Sequence, residues 1–437
     1  MRESRWNRYR VWKPLGLLVL AGLTPPEWEV SVFDENTHAH DFESMSSPDL
    51  VGITAFTSQA NRAYEIAAEF RGRGVPVVMG GIHATMRPDE ALARVDAVVT
   101  GEAERVWEQV LADARRGALR RLYAGEHADM DKIPSARHDL LVGDYACGAI
   151  QTTRGCPLSC SFCSVTAFNG HRYRQRPIDQ VMREFGSIRE KHVLIVDDNL
   201  IGTKPEHIAR AKELFRAMIA ANLRKQWIAQ VTINIADDDE LLELAARAGC
   251  TGVFIGFESV SAEGMRAFGG KRHILEGRDF QASVRRIQRH KILVVGSFII
   301  GLDTDEPGVG RRIADAATEY GLDVLNTLFL TPLPGTRLWD ELEAENRIVP
   351  GRFPEDWKYY TLTLPVAQYQ QFSREDIVLE MQECDGTFYS LPRILWRVWY
   401  SLWQRRKPFA TLVSNLSYRS NLRLSCAAYR AYLTRET

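Results

Sequence analysis

The chain has 437 residues, with 55 Lys and Arg against 56 Asp and Glu, 45% hydrophobic and 25% charged. This composition excludes a disordered, collagen-like or fibrous polypeptide, and a net charge of −1 removes any bulk electrostatic case for nucleic-acid binding. Seven cysteines are an odd count for a disulfide scaffold, and three of them fall within eight residues, which points to a metal or cluster site in a reducing, cytoplasmic compartment.

The chain opens with a basic stretch (Arg2, Arg5, Arg8, Arg10, Lys13) and an apolar one at 15–23. Together they have the outline of an export signal, but Thr24-Pro25-Pro26-Glu27 stands where a small-residue cleavage site belongs, so export is not the expected reading. No run reaches the roughly 20 apolar residues of a membrane-spanning helix. From 28 onward the pattern alternates. Strands are predicted at 29–33, 50–55, 75–79 and 96–99, and helices at 58–73, 88–94 and 104–115. Such alternation predicts a parallel sheet with helices on both faces and ligands at the strands' carboxyl ends. Periodicity weakens from 116, and 131–147 reads as a linker. A second array follows, with strands at 149–153, 193–196, 227–231, 253–257, 294–300 and 324–330 and helices at 179–190, 205–221, 238–248 and 280–290. Six βα units in about 180 residues suit a barrel or partial barrel.

Between the first strand and helix of that array stands Cys156-x3-Cys160-x2-Cys163. Three thiolates on one short loop can hold three corners of a cubane. A [4Fe–4S] cluster normally takes four, so one iron would keep an open coordination site. Four-Cys zinc sites come as two separated pairs, unlike this run. Cys147, Cys250, Cys384 and Cys426 are isolated and read as packed thiols. The motif, at the head of six βα units, resembles the radical S-adenosylmethionine (SAM) superfamily. The resemblance implies that Cys156, Cys160 and Cys163 ligate a [4Fe–4S] cluster and that the open iron chelates SAM. Reductive cleavage to a 5′-deoxyadenosyl radical would draw its electron from a donor such as flavodoxin or ferredoxin. Phe162 matches the aromatic common before the third cysteine. SAM contacts are implied at the strand ends, at Asp198, Asn199, Gln230, Thr232, Glu258, Gly296 and Ser297. From the residues alone each of these could equally be a helix cap or a packing residue. Asp197-Asp198-Asn199 also lacks the glycines of the family's Gly-Gly-Glu segment. Thr331-Pro332-Leu333-Pro334-Gly335-Thr336 matches a segment common in one branch.

The alternating region ahead of the barrel resembles the cobalamin-binding branch of that superfamily. Thr54, Ala55 and Phe56, the pair Gly80-Gly81 before Ile82-His83, and Gly101-Glu102 stand where its loops meet the corrin. Two departures are visible. The family usually opens on an apolar strand, whereas 1–12 is polar and basic. No Asp-x-His-x-x-Gly segment occurs, so a histidine lower ligand to cobalt is not supported, and His83 reads as a loop residue. The expected architecture is therefore a cobalamin-binding-like Rossmann domain at 1–130, the linker at 131–147, a radical SAM partial βα barrel at 148–345 and a helical region at 346–437. The resemblance implies three cofactors, the cluster, SAM and cobalamin, and methyl transfer to an unactivated carbon of a small molecule, lipid or pigment. Oxidative cyclisation or rearrangement of a tetrapyrrole or other natural product is the alternative, and a non-catalytic Fe–S protein with a degenerate SAM site is a third reading. Arg172, Arg174 and Arg176 are suited either to an anionic substrate or to barrel carbonyls. In the tail, Trp396, Trp399 and Trp403 share one face of a helix at 391–404, followed by Arg405, Arg406 and Lys407. The expected role is a cap with its tryptophans turned inward. The alternative is peripheral contact of 391–407 with a membrane surface.

Overall fold

The computed structural model describes residues 12–434 other than 38, 144, 405 and 406; the basic opening run up to residue 11, Arg405 and Arg406 lie outside them. The first described element is the helix Leu15–Leu23. It packs Leu18 and Val19 against Ala128, Met130, Ile133 and Ala136, and Arg137 donates its amide to the Leu18 carbonyl at 3.0 Å. The expected linker is thus a clasp over this helix.

Four parallel strands follow: β1 Val51–Thr54, β2 Val77–Gly80, β3 Ala97–Thr100 and β4 Leu122–Ala124, adjacent in that order. Their apolar runs are covered on both faces, as parallel sheets require. Ala60–Gly72 and the short helices Gly81–Met86 and Pro88–Leu92 pack on Val77, Met79 and Val98. Trp107–Arg115 places Val110 against Val78, Val99 and Tyr123 on the other face. Two expectations need correction here. Residues 29–33 are not a strand. Phe33 instead packs edge-on against His40 at 5.0 Å and Phe42 at 5.9 Å, and no described strand pairs with this segment. Conversely, β4 lies inside the weakly periodic stretch; at three residues with only Tyr123 buried it is too short to show a period.

The second sheet contains β5 Gly148–Ile150, β8 His192–Ile195, β9 Gln226–Val231, β10 Cys250–Glu258, β11 Leu293–Ile300 and β12 Val324–Phe329. All pair in parallel in this order, and β5 and β12 do not close on each other, so the barrel is partial. A separate antiparallel ribbon joins β6 Thr153–Arg154 to β7 Arg174–Gln175. The period of two sorts the side chains. Val253, Ile255, Phe257, Val294 and Phe298 are fully buried on the outer face, where Phe257 stacks on Phe298 at 5.5 Å beneath Phe280 and Tyr320. Each such aromatic contributes roughly 2–3 kcal/mol of burial. The register places Gln230, Phe254, Val295, Ser297 and Asn326 together on the inner face.

The helices Arg374–Phe388 and Pro408–Leu433 pack outside β12, and Leu391–Trp403 packs on Pro408–Leu433. No described helix is long and apolar enough to cross a membrane. The inward-facing cap is overturned. Leu391–Trp403 buries Ile394, Arg397 and Ser401, while Trp396, Trp399 and Trp403 are 48, 57 and 71% exposed. The seam is polar. The Arg397 guanidinium donates to Asn415 Oδ1 at 2.8 Å and to the Phe388 carbonyl at 2.7 Å, so the aromatic stripe lies on the opposite face.

Candidate active site between the two sheets

The β6–β7 ribbon pins both ends of the cysteine loop. Gly155 adopts φ +82°, and any side chain there would collide with the Arg172 carbonyl, so the Arg-Gly-Cys run needs its glycine. Asp198 accepts the Gly155 amide at 2.9 Å and the Asn169 side chain at 3.0 Å. Asp197 accepts both the amide and the hydroxyl of Thr152 at 2.5 Å. Burial outweighs those bonds and pushes Asp197 up to about 6; burial likewise raises Asp198. The Asp-Asp-Asn run after β8 therefore braces the loop. Asn199, also buried, donates to Thr232 Oγ1 at 3.3 Å and leaves its own Oδ1 without a partner. Thr232 donates onward to Asn234 at 2.5 Å.

From the other side the segment after β10 closes on the loop. Ser161 donates its amide to the Phe268 carbonyl at 3.4 Å, Phe162 meets the Phe268 ring edge-on at 4.7 Å, and Leu338 donates to the Ser161 carbonyl at 3.0 Å. Gly270 lies so close that a Cβ would come within 2.6 Å of the Cys160 amide. The neighbouring Lys271 is ion-paired with Glu258, whose carboxylate folds back over Gly256 on the inner face. Lys271 was not singled out in the sequence; Gly269-Gly270-Lys271 is the signal that could have found it. Burial pushes Cys156 up to about 11 and Cys160 up to about 12; Lys271 opposes the rise at both, and the Cys163 thiol adds to it at both.

The donor set fits a cluster. A cubane takes one thiolate at each iron corner, so three cysteines on one short loop near the buried Lys271 suit it. The orphaned Asn199 oxygen, buried without a donor, fits an incoming amine such as that of SAM. Gln230 and Ser297 face the same interior. Gly296 does not, because its missing side chain makes room for Leu322 on the outer face, so it acts as a packing glycine.

At the carboxyl ends of the first sheet, Gly81 holds φ +85° with the Thr54 hydroxyl where its Cβ would stand. Gly80 ends β2, Ala55 accepts the His83 amide at 3.4 Å, and Phe56 is exposed. A side chain at Gly81 would collide with Thr54, so the two strand ends approach this closely only with glycine there. Gly101 donates its amide to Thr85 Oγ1 at 3.0 Å. Two residues differ from expectation. His83 is no loop residue; it is buried in Gly81–Met86, with Nε2 at 2.9 Å from Tyr64 Oη and 3.3 Å from Glu90. The Glu102 carboxylate is held inside the protein and turned to two arginines. It accepts from Arg154 at 2.9 Å, from Arg174, and from the Ala128 amide at 2.8 Å. Burial alone would raise its pKa, but Arg174 and Arg154 hold it below the usual carboxylate range. Arg154 also reaches Glu104 at 2.5 Å. Arg176 bonds Glu184 at 2.7 Å and the Gln151 carbonyl at 3.0 Å, and Arg172 is exposed. Arg174 and Arg176 thus serve internal carboxylates and carbonyls.

Arg154 immediately precedes Gly155-Cys156, so the Glu102 cluster ties the end of β3 to the cysteine loop. Gly335, after β12, packs against Met86, and Arg87 lies over Trp339 at 5.3 Å. The segments that follow β2 and β12 are therefore in contact.

Residues 7–111 match the B12 binding domain family and residues 150–308 the Radical SAM superfamily. The chain is 30% identical over 349 residues to the bacteriochlorophyllide d C-12(1)-methyltransferase of Chlorobaculum tepidum, covering 76% of this chain and 74% of that one. It is 30% identical over 351 residues to the hopanoid C-2 methylase of Rhodopseudomonas palustris, covering 77% and 65%. Its fold is similar to that of the radical SAM methyltransferase TsrM from Kitasatospora setae, solved with tryptophan substrate and a SAM analog. The TM-score is 0.64 at 21% identity, over 78% of this chain and 76% of that one.

Proposed function

The chain belongs to the cobalamin-dependent radical SAM methyltransferases, and from that premise we propose that it methylates an unactivated carbon of an apolar small molecule, a pigment or a lipid. Its cofactors are those of the family: a [4Fe–4S] cluster, SAM and cobalamin. One observation carries the reading. The buried Glu102–Arg154 pair joins the loops at the carboxyl end of the B12-type sheet directly to the loop that carries Cys156, Cys160 and Cys163. A reaction that needs both a corrin and a cluster requires that closeness.

When bound, the cluster with SAM supplies hydrogen abstraction, and the cobalamin supplies the methyl group. The rest falls to the chain. Cys156, Cys160 and Cys163 would hold the cluster, with Lys271 balancing their charge. Asn199, Thr232, Gln230 and Ser297 offer polar groups toward SAM, and Thr54, Gly81 and Gly101 offer backbone to the corrin. Ile228, Phe254 and Val295 give the barrel interior an apolar lining that excludes water and favours an apolar substrate. The relatives support that class, one being a bacteriochlorophyllide methyltransferase and another a hopanoid methylase. A flavodoxin or ferredoxin would deliver the electron in the cytoplasm.

The test is anaerobic reconstitution with iron, sulfide and hydroxocobalamin, followed by turnover of candidate pigments and lipids with SAM carrying a deuterated methyl. About four irons and one corrin per chain after desalting, with a labelled methyl in the product, are expected. Iron without corrin, or a product that loses hydrogen without gaining the label, would replace methyl transfer with oxidation or cyclisation. A loaded protein that never cleaves SAM would leave only the non-catalytic reading.

A further inference from the structure

The C-terminal helix Leu391–Trp403 is amphipathic in an inverted sense. Its buried side carries Ile394, Arg397 and Ser401, and its exposed side carries Leu391, Leu395, Trp396, Trp399, Leu402 and Trp403. The rings are ordered in stacked pairs, Trp396 on Tyr400 at 5.3 Å and Trp399 on Trp403 at 6.0 Å. Phe409, six residues beyond Trp403, is 78% exposed. A contiguous apolar stripe of this size on the outside of a folded protein marks an interaction surface.

Charge identifies the partner. Residues 391–434 contain eight Arg and Lys and no Asp or Glu, in a chain whose net charge is −1. Arg397 is buried and Arg393 is paired with Asp315, but Arg423 and Arg430 are exposed on Pro408–Leu433, the helix that packs against this one. A basic surface repels a second copy of itself and attracts an anionic one. The exposed residue types are Trp, Leu and Phe, which favour the boundary between headgroups and acyl chains, where indole rings bury their faces and keep their N–H groups hydrated. Thirteen residues give a helix of about 20 Å, too short to span a bilayer and sufficient to lie in its surface. We propose that Leu391–Trp403 is a peripheral membrane-docking helix that inserts its tryptophan face into a bilayer containing anionic phospholipid. This does not rest on the methyl-transfer reading.

The experiment uses the full reconstituted chain and two vesicle preparations, phosphatidylcholine alone and phosphatidylcholine with phosphatidylglycerol. In flotation the protein is expected to rise with the anionic vesicles, less with the neutral ones, and to be released by high salt. Brominated acyl chains should quench part of its tryptophan emission. Trp399→Glu with Trp403→Glu should lower the bound fraction at least ~10-fold and remove the quenching, with iron content and SAM cleavage unchanged. Wild-type protein that stays unbound, or a double variant that floats and is quenched like wild type, overturns the proposal. So does a lipid-free dimer that the double variant dissolves and vesicles do not compete away. The quenching of wild type stands even if the variant fails to fold.

Discussion

Glu102→Gln probes the tie between the two sheets. Glu102 and Glu104 face Arg154 and Arg174 in a nearly dry, charge-balanced group of two carboxylates and two guanidiniums. The substitution removes one charge and leaves a buried excess of +1. Arg154 keeps Glu104 at 2.5 Å. Arg174 loses its one carboxylate and retains neutral acceptors alone, the glutamine amide oxygen and the carbonyls of Ala128 at 3.1 Å and Asn169 at 3.3 Å. Breaking one side of a buried pair costs about 3–5 kcal/mol. The retained carbonyl bonds put the expected value at the lower end, about 3 kcal/mol, or roughly a hundredfold in the local opening equilibrium. Hydrogen exchange in native conditions reads this without assuming two-state unfolding. Protection of the amides around β3 and Ala128, whose N–H bonds Glu102, should fall by that factor. Glu243→Gln, which touches only an exposed pair with Arg247, should change stability by less than about 0.5 kcal/mol. Glu102→Gln with Arg174→Met restores the charge balance and should be milder than Glu102→Gln alone. The reasoning fails if the single variant exchanges like wild type, or if the double variant is worse than the single.

Three further outcomes follow from the same geometry. Glu102 and Glu184 both have depressed pKa values in the fold: burial opposes ionisation, but Arg174 and Arg154 overcome it at Glu102, and His138 and Arg176 at Glu184. Their stabilisation is complete above the unfolded glutamate pKa of about 4.3 and is lost as pH falls through the lower folded values. Thermal melting of the apo chain should therefore owe no loss to these groups between pH 8 and 5 and should drop below about pH 4; Glu102→Gln should flatten that acid limb, and an unchanged limb would contradict the assignment. Serine at Cys156, Cys160 or Cys163 should cut bound iron from about four per chain to below one, whereas Cys250→Ser, deep in the barrel core, should leave the iron count intact. Gly81→Ala forces a left-handed backbone on a residue with a Cβ, at about 1–2 kcal/mol, and drives that Cβ into the Thr54 hydroxyl. Corrin retained after desalting should fall severalfold with iron unchanged, and full corrin retention would remove Gly81 from the site.

Much of the barrel was legible because its signals are local. Pro205–Ala221 matches its predicted limits, with proline at the start and Asn222 at φ 48° to stop it. The cysteine run was legible because its ligands share one loop. The period of two also contained a distinction not drawn from the sequence: Gly296 and Ser297 are neighbours and so cannot face the same side. Other features are non-local. Val30 and Val32 alternate as a strand does, but a strand exists only where another edge supplies hydrogen bonds, and none among the described residues does for 29–33. Helical period aligned the three tryptophans but carries no information on which face is inward. The usual inference, apolar side in, failed because Arg397 found Asn415 and the Phe388 carbonyl in a polar seam.

The relation between the two sheets was the least legible feature, and its chemistry explains why. Glu102 lies 52 residues from Arg154 and 72 from Arg174, a separation at which no periodicity operates. Cohesion across this junction does not come from those charges. Trp339, Trp357, Tyr360 and Val366, from beyond β12, share one core with Met79 of the first sheet and with Tyr64 and Ala67 of the helix Ala60–Gly72 that covers it, and that apolar burial supplies the free energy. A buried ion cluster is a weak source of net stability because desolvation consumes most of its Coulomb gain. What it adds is direction. Apolar surfaces slide with little change in energy, whereas Arg174 grips Glu102 with both terminal nitrogens, and Arg154 joins the same carboxylate to the residue before Gly155. The hydrophobic contact therefore holds the sheets together, and the charge cluster sets where the cysteine loop stands relative to the glycine loops of β2 and β3. Loss of Glu102 should accordingly disturb reactions that need both loops more than binding at either one alone.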